Sequence, residues 1–168
     1  HRTHPHHGLG GPGCRARVAS RRCVAIASRA GLACPPVSVL VVLNPIAGRG
    51  KCARLRNRIE HGLRDAGLKY ELVQTTGPGH ALGLARDAAA HGVTKLICAG
   101  GDGTVHEAAN GLLQAPLADD GATRVALGLI PAGTGDDFAK MINVFKLPPE
   151  AAAARMARAE ETLFDVGK

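Results

Sequence analysis

The 168-residue chain is long enough for one domain with a core, since 45% of its residues are hydrophobic. No apolar run approaches the ~20 residues that a membrane-spanning helix needs, so no transmembrane segment is expected. The net charge of +7 belongs mostly to residues 1–36, which carry six arginines and no acid and leave 15 basic against 14 acidic residues for the rest. With so little excess charge and few aromatic side chains, nucleic-acid binding is not expected.

Residues 1–36 mix Gly, Pro, His and Arg without a periodic apolar pattern, which predicts a disordered basic leader. An organelle transit peptide is the alternative for this Arg-rich, acid-free stretch. The five cysteines of the chain form no C-x-x-C pair, so neither a zinc site nor a closed disulfide set is indicated. A reducing, cytoplasmic location fits this cysteine usage.

From residue 37 onward, apolar runs alternate with helical patterns. The β-branched run 37–43 is typical of a strand buried on both faces of a parallel sheet. A helix with Leu55, Ile59 and Leu63 on one face follows it. Further strands are predicted at 70–75, 95–99, 125–130 and 162–166, with helices at about 81–91, from 105, after 136 and from about 150 to 160. This alternation predicts an α/β fold.

The most informative stretch joins the third strand to its helix, and reads Gly100-Gly101-Asp102-Gly103-Thr104. A strand that runs through glycines into a helix aims backbone N–H groups and a helix N-terminus at one point, which suits a phosphate. Asp102 would repel that phosphate, so it indicates a bridging cation such as Mg²⁺, or a base acting on a hydroxyl. A tight turn with Thr104 as the helix N-cap is the alternative.

Other strand ends carry similar loops. Residues 44–50 end the first strand but fail the Walker A pattern, because Pro45 stands where its first glycine belongs and Cys52 replaces its hydroxyl. Thr75 and Thr76 end the second strand at its carboxyl end, where open α/β sheets place ligands. Residues 131–139 form a second loop that combines glycines, a threonine and carboxylates. We therefore expect a ligand site at this edge of the sheet.

Two histidines and a glutamate lie near these loops. His80 is expected to be a solvated residue in the first turn of its helix. His106 and Glu107 fall outside the apolar stripe of the third helix and can reach the mouth that contains Asp102, although Glu107 can instead complement the helix dipole.

Three motifs occur in a fixed order: Asn44-Pro-x-x-Gly48-x-Gly50, then Gly100-Gly101-Asp102-Gly103-Thr104 with His106-Glu107 and Asn110-Gly111, then Pro131-x-Gly133-Thr134-x-x-Asp137-Phe138-Ala139. In this order they resemble the catalytic domains of diacylglycerol kinases, sphingosine kinases and bacterial lipid kinases. The resemblance covers residues 37–168 and implies a two-lobed, ATP-dependent lipid kinase. It implies a phosphofructokinase- or NAD-kinase-like first lobe, a three-layer α/β domain with an open, mostly parallel sheet. It also implies a second, β-rich lobe, which we expect to be absent from this chain.

The resemblance also implies roles for residues at motif positions. Asp102 would be the base that takes the proton of the lipid hydroxyl, as in the sphingosine-kinase branch, whereas bacterial members are assigned a carboxylate and Mg²⁺ contacts in the second lobe. ATP is the implied nucleotide and Mg²⁺ the implied cation, with metal ligands unknown. The lipid would be met at a membrane surface, and peripheral membrane attachment and a homodimer are left open. The implied ATP-binding residues are Asn44, Thr75, Gly100, Gly101, Asp102, Gly103, Thr104, Val105, His106 and Thr134.

One departure and two alternatives accompany this hypothesis. Asp136 stands where the family usually has Asn, so either Mg²⁺ binding is strengthened or nucleotide affinity falls. NAD kinases share the Gly-Gly-Asp-Gly-Thr turn but lack the loop of residues 131–139. A non-catalytic nucleotide-binding or regulatory fragment is the alternative from another class. The chain alone is expected to bind nucleotide and to transfer phosphate poorly.

Overall fold

A computed structural model describes residues 38–115 and 125–162. In this part the strands are β1 (Val39–Leu43), β2 (Glu71–Gln74), β3 (Lys95–Gly100) and β4 (Ala126–Pro131). The helices are α1 (Ala47–Asp65), α2 (His80–Ala90), α3 (Asp102–Gln114), α4 (Asp137–Met141) and α5 (Pro149–Arg158). The predicted leader and all but the first residue of the predicted strand 162–166 lie outside the described residues.

The strands form one parallel sheet in the order β2-β1-β3-β4. All five residues of β1 are buried, as are the last five of β3, which explains their continuous apolar sequences. The helices pack in two main pairs, α2 with α3 and α1 with α5. The predicted α/β fold with a parallel sheet is confirmed.

The strand order places a ligand position in the middle of the sheet. From β1 the chain goes to β2 on one side and then returns to β3 on the other side. In open α/β sheets, ligands bind outside the carboxyl ends of the strands at such a reversal of strand order. The loops that follow β1 and β3 therefore start on either side of this position.

Helix α3 starts earlier than predicted, whereas the regular part of α1 starts after residues 44–50, as the sequence predicts. Helix α3 begins at Asp102 rather than Val105, since the N–H groups of Thr104 and Val105 both donate to the Gly101 carbonyl, at 3.0 and 3.2 Å. The alternative with Thr104 as N-cap is therefore wrong, and Gly101 has that position. At the start of α1, Gly48, Arg49 and Gly50 have positive φ angles of 58°, 56° and 80°, so the regular helix follows this loop.

Candidate active site

A cavity of about 490 Å³ lies at the carboxyl ends of the strands. This volume is within the range of small-molecule sites. Its walls come from four loops, residues 44–48 after β1, 75–78 after β2, 101–104 after β3 and 133–135 after β4. The structure thus brings together the loops that the sequence predicts to share a ligand.

These loops contact one another through backbone. A Cβ atom on Gly133 would lie 2.6 Å from the Gly101 Cα, and one on Gly48 would overlap the Ala132 carbonyl oxygen. The Ala132 N–H donates to the Gly100 carbonyl at 2.8 Å, which carries the pairing of β3 and β4 up to the loops. Glycine is required at positions 48 and 133 because the loops approach too closely for a side chain, and a Cβ on Gly101 would make a tight contact of 3.0 Å with the Gly133 Cα.

Asn44 and Thr104 link the first loop to helix α3. The Asn44 Nδ2 donates to the Thr104 Oγ1 at 3.0 Å, and the Asn44 Oδ1 accepts the Ile46 N–H at 3.2 Å. Thr104 is only 5% exposed. Asn44 therefore holds the shape of its own loop while fixing that loop against the first turn of α3.

Asp102 links the third loop to the fourth. Its Oδ2 accepts the N–H of Asp137 at 3.2 Å, and its Oδ1 accepts the N–H of Phe138 at 3.1 Å. Both donors belong to the first turn of α4, where backbone N–H groups have no partner within the helix. The carboxylate thus satisfies these donors, and they fix its orientation.

A second cavity, of about 460 Å³ and more open to solvent than the first, is also lined by Asp102. Its lining includes the apolar side chains of Val105, Phe138 and Met141, together with His106 and Asp137. Among the described residues, Asp102 alone lines both cavities. Its carboxylate therefore stands between a glycine-rich space and a partly apolar one.

Most of the ten predicted ATP-binding residues meet at the first cavity. Val105 and His106 line the second cavity instead, and Gly100 is buried at the end of β3. The seven that line the first cavity are Asn44, Thr75, Gly101, Asp102, Gly103, Thr104 and Thr134.

Other residues that line the first cavity are not among the predicted ATP-binding residues. Glu107, which was expected only to be able to reach the mouth, lines the first cavity and accepts the Ala81 N–H with its Oε2 at 3.3 Å. Ile46 lines it as well, although 72% of this residue is exposed. Ile46 lies in a loop without apolar periodicity, so no hydrophobic pattern indicated it. Its position two residues after Asn44, within the first motif, is the signal that could have indicated it.

Several carboxylates surround the start of α4. Asp136 has a positive φ of 53°, and its Oδ1 is buried without a hydrogen-bond partner among the described residues. Asp137 pairs with Lys140 at 2.7 Å, and this hydrogen bond raises the pKa of Lys140. No cluster of three or more His, Cys, Asp or Glu side chains suited to a metal ion occurs in residues 38–115 and 125–162.

Fold and site together define a parallel α/β domain with a glycine-lined cavity at the carboxyl ends of its strands. The model of the diacylglycerol kinase catalytic domain matches residues 38–168, so the chain belongs to this family of kinases. The resemblance carried by the three sequence motifs is thereby confirmed.

Individual relatives agree with this assignment. The chain is 34% identical over 116 residues to sphingoid long-chain bases kinase 1 of Arabidopsis thaliana, and 36% identical over 104 residues to a diacylglycerol kinase of Bacillus subtilis. These matches cover 68% and 62% of this chain but only 15% and 32% of the relatives. A crystal structure of a diacylglycerol kinase from Bacillus anthracis superposes with a TM-score of 0.62 at 30% identity, covering 74% of this chain and 44% of that one.

The chain therefore spans less than half the length of these proteins. Within the described part, no helix combines the length and hydrophobicity that crossing a bilayer requires.

Proposed function

We propose that this chain is the nucleotide-binding lobe of an ATP-dependent lipid kinase, with Asp102 as the base that activates the lipid hydroxyl. The observation that carries the proposal is the position of Asp102 between the two cavities. A base in phosphoryl transfer has to reach the acceptor hydroxyl while the donor phosphate lies beside it. Membership of the kinase family supports the same reading.

The first cavity suits the nucleotide phosphates. The N-terminus of the 13-residue helix α3 opens into it, and the first N–H groups of a helix have no partner within the helix. The positive end of the helix dipole adds to the attraction for an anion. Gly101 and Gly103 carry no side chains that would keep a phosphate away from these donors.

The second cavity suits the acceptor. Phe138 and Met141 offer apolar surface for hydrocarbon next to the hydroxyl. As the hydroxyl oxygen attacks the γ-phosphorus, its proton passes to an Asp102 oxygen, and the bond from phosphorus to ADP breaks. General-base assistance of this kind contributes roughly 10²–10⁴-fold to rate.

We propose that Mg²⁺ enters with the nucleotide. The two oxygens of Asp102 accept backbone N–H groups and Asp137 pairs with Lys140, so these side chains do not form a cage for the ion. Magnesium usually keeps several waters and binds substrate phosphates with one or two carboxylates. When bound, it would offset the negative charge of the phosphates.

The test combines calorimetry with a transfer assay on the purified chain. The wild type is expected to bind ADP and ATP saturably, and more tightly with Mg²⁺. Thr134→Ala, which changes only the nucleotide cavity, should weaken binding. Asp102→Asn should retain ADP binding within roughly tenfold, because its amide oxygen can keep one of the two backbone hydrogen bonds.

Phosphate transfer to diacylglycerol or sphingosine in lipid vesicles is then followed with labelled ATP. Asp102→Asn is expected to lower any measurable rate by roughly 10²-fold or more. If the wild type transfers phosphate above the rate without protein, a variant that is equally fast would exclude Asp102 as the base. A wild type that binds no adenine nucleotide would exclude the proposed function itself.

A further inference from the structure

The loop between β2 and α2 forms one wall of the nucleotide cavity, through residues 75–78. Its first residue is anchored to the sheet, since the Thr75 N–H donates to the Leu43 carbonyl at 2.9 Å. Beyond it the loop contains Gly77 and Gly79, and an added Cβ on either would meet no atom within 4 Å. Neither glycine is held by close packing, so the shape of this wall depends on hydrogen bonds.

His80 supplies such a hydrogen bond. Its Nδ1 lies 3.0 Å from the Thr76 backbone nitrogen and 3.1 Å from the Thr76 Oγ1. A backbone N–H can only donate, so Nδ1 is the acceptor of this hydrogen bond, which the tautomer with its proton on Nε2 can make. The His80 N–H in turn donates to the Gly77 carbonyl at 3.3 Å. One residue therefore closes the loop with both its ring and its backbone.

A second side chain fixes the helix that carries His80. Helix α2 has no side-chain N-cap at Gly79, but the Glu107 carboxylate of α3 accepts the N–H of Ala81, the residue after His80. The ring of His80 is thus presented from a helix start that is itself held against α3. The bond to Thr76 then links this helix start to the loop of residues 75–78.

We propose that His80 is a positioning residue for nucleotide binding, which holds the loop 75–79 in its binding shape without touching the ligand. This proposal rests on the proposed nucleotide site. Without the acceptor at Nδ1, the Thr76 N–H loses its partner, and the glycine-containing loop adopts other shapes that cost binding affinity. His80 itself does not line the cavity, which separates its role from that of Thr75 or Thr134.

The experiment compares two substitutions. His80→Phe keeps a ring but removes the acceptor, whereas His80→Asn places an amide oxygen near the position of Nδ1 and can still accept the Thr76 N–H. His80→Phe loses the net free energy of one hydrogen bond, so we expect it to raise the ADP dissociation constant roughly three- to tenfold. His80→Asn should bind within about twofold of the wild type, inside the spread of that value.

His91→Phe is the matched control. The Nδ1 of His91 also pairs with backbone, the Asp87 carbonyl at 2.6 Å, but at the other end of α2. This variant should leave ADP affinity unchanged. Hydrogen exchange of the Thr76 amide gives a readout that needs no nucleotide: exchange should accelerate in His80→Phe and remain slow in His80→Asn and His91→Phe.

The possible results distinguish the proposed role of His80 from the proposed function of the chain. If the wild type binds ADP and Thr134→Ala weakens it, but His80→Phe binds as tightly as the wild type, the role of His80 alone is overturned. Unchanged Thr76 exchange in His80→Phe overturns it as well. If the wild type binds no nucleotide, the proposed function is overturned together with the effect of His80 on affinity.

Discussion

Asp136 places a carboxylate beside loops that are proposed to hold phosphates. Its Oδ1 is buried without a partner among the described residues, and its backbone has the left-handed conformation. Asn tolerates this conformation well, because its short polar side chain can bond locally. A buried oxygen without a hydrogen-bond partner costs stability.

We predict that Asp136→Asn strengthens both the fold and nucleotide binding. Replacing the carboxylate, whose Oδ1 is buried without a partner, by a neutral amide should raise the free energy of unfolding by about 1 kcal/mol, measured by urea denaturation. ADP should bind more tightly at the same Mg²⁺ concentration, because repulsion from the phosphates is lost. Glu160→Gln, at an exposed position after α5, is the control and should change neither quantity. Weaker Mg²⁺-dependent binding in Asp136→Asn would instead identify Asp136 as a contributor to the cation site.

The role of a residue could be predicted only where the local sequence pattern determines it. The buried position of Cys98 follows from its apolar strand, and burial raises the pKa of its thiol to about 12. The partners of Asp102 could not be predicted, because its carboxylate meets N–H groups 35 and 36 residues further along the chain. His80 was expected to be solvated, since nothing in its spacing shows that its ring turns back to Thr76.

At the scale of elements, the loops after β3 and β4 are joined where Gly101 faces Gly133. We predict that Gly133→Ala destabilises the fold by roughly 1–3 kcal/mol, because its methyl group would be forced against the Gly101 Cα. Gly83→Ala is the control: it lies inside α2 with open space around the added Cβ, and should stabilise by about 0.5–1 kcal/mol. Urea denaturation measures both. Equal effects of the two changes would show that the loops can separate without cost.

Helices α1 and α5 are tied by a two-point ion pair. The Arg58 Nε and Nη2 donate to the two Glu150 carboxylate oxygens at 2.5 and 2.8 Å. The hydrogen bond from Arg58 holds the pKa of Glu150 below its ordinary value. Because the folded-state pKa is lowered, the contribution to stability is present above the unfolded-state pKa and is lost as pH falls.

The corresponding prediction concerns Glu150→Gln. Its deficit in unfolding free energy relative to the wild type should be constant near neutral pH and shrink as pH falls below about 4.3, the ordinary glutamate value. Both side chains are exposed, so the deficit should be small and reduced by salt. Glu161→Gln serves as the comparison and should show no such pH dependence. A deficit that persists at pH 2 would mean that the ion pair is not its cause.

The order and type of the elements were predictable, whereas their starts were not. Continuous apolar runs marked β1 and β3 because both faces of these strands are buried. The apolar stripe of α3 begins at Val105, but the helix begins three residues earlier at Asp102. Its first turn consists of residues that line the cavity, so packing periodicity carries no information about it. The strand order could not be read from the sequence, since pairing of β1 with β3 joins distant segments.

At the scale of the whole molecule, the proposed function assigns nucleotide binding to this chain. We predict that ADP at 100 times its dissociation constant stabilises the chain by about 2.7 kcal/mol, which is a rise in melting temperature on the order of 5–10 °C. NAD at the same concentration should give no comparable rise in melting temperature, because this chain has the loop of residues 131–139, which NAD kinases lack. A larger rise with NAD than with ADP would favour the NAD-kinase alternative.

The backbone contacts between the loops also bear on the entropy of ligand binding. Glycines at positions 48, 101 and 133 have no rotamers to lose when a ligand arrives, and the sheet already fixes the strands from which these loops leave. Ordering a long side chain costs up to about 2 kcal/mol, so a wall of main chain avoids most of that penalty. Selectivity in such a wall comes from the directions of N–H groups, which are set by the fold.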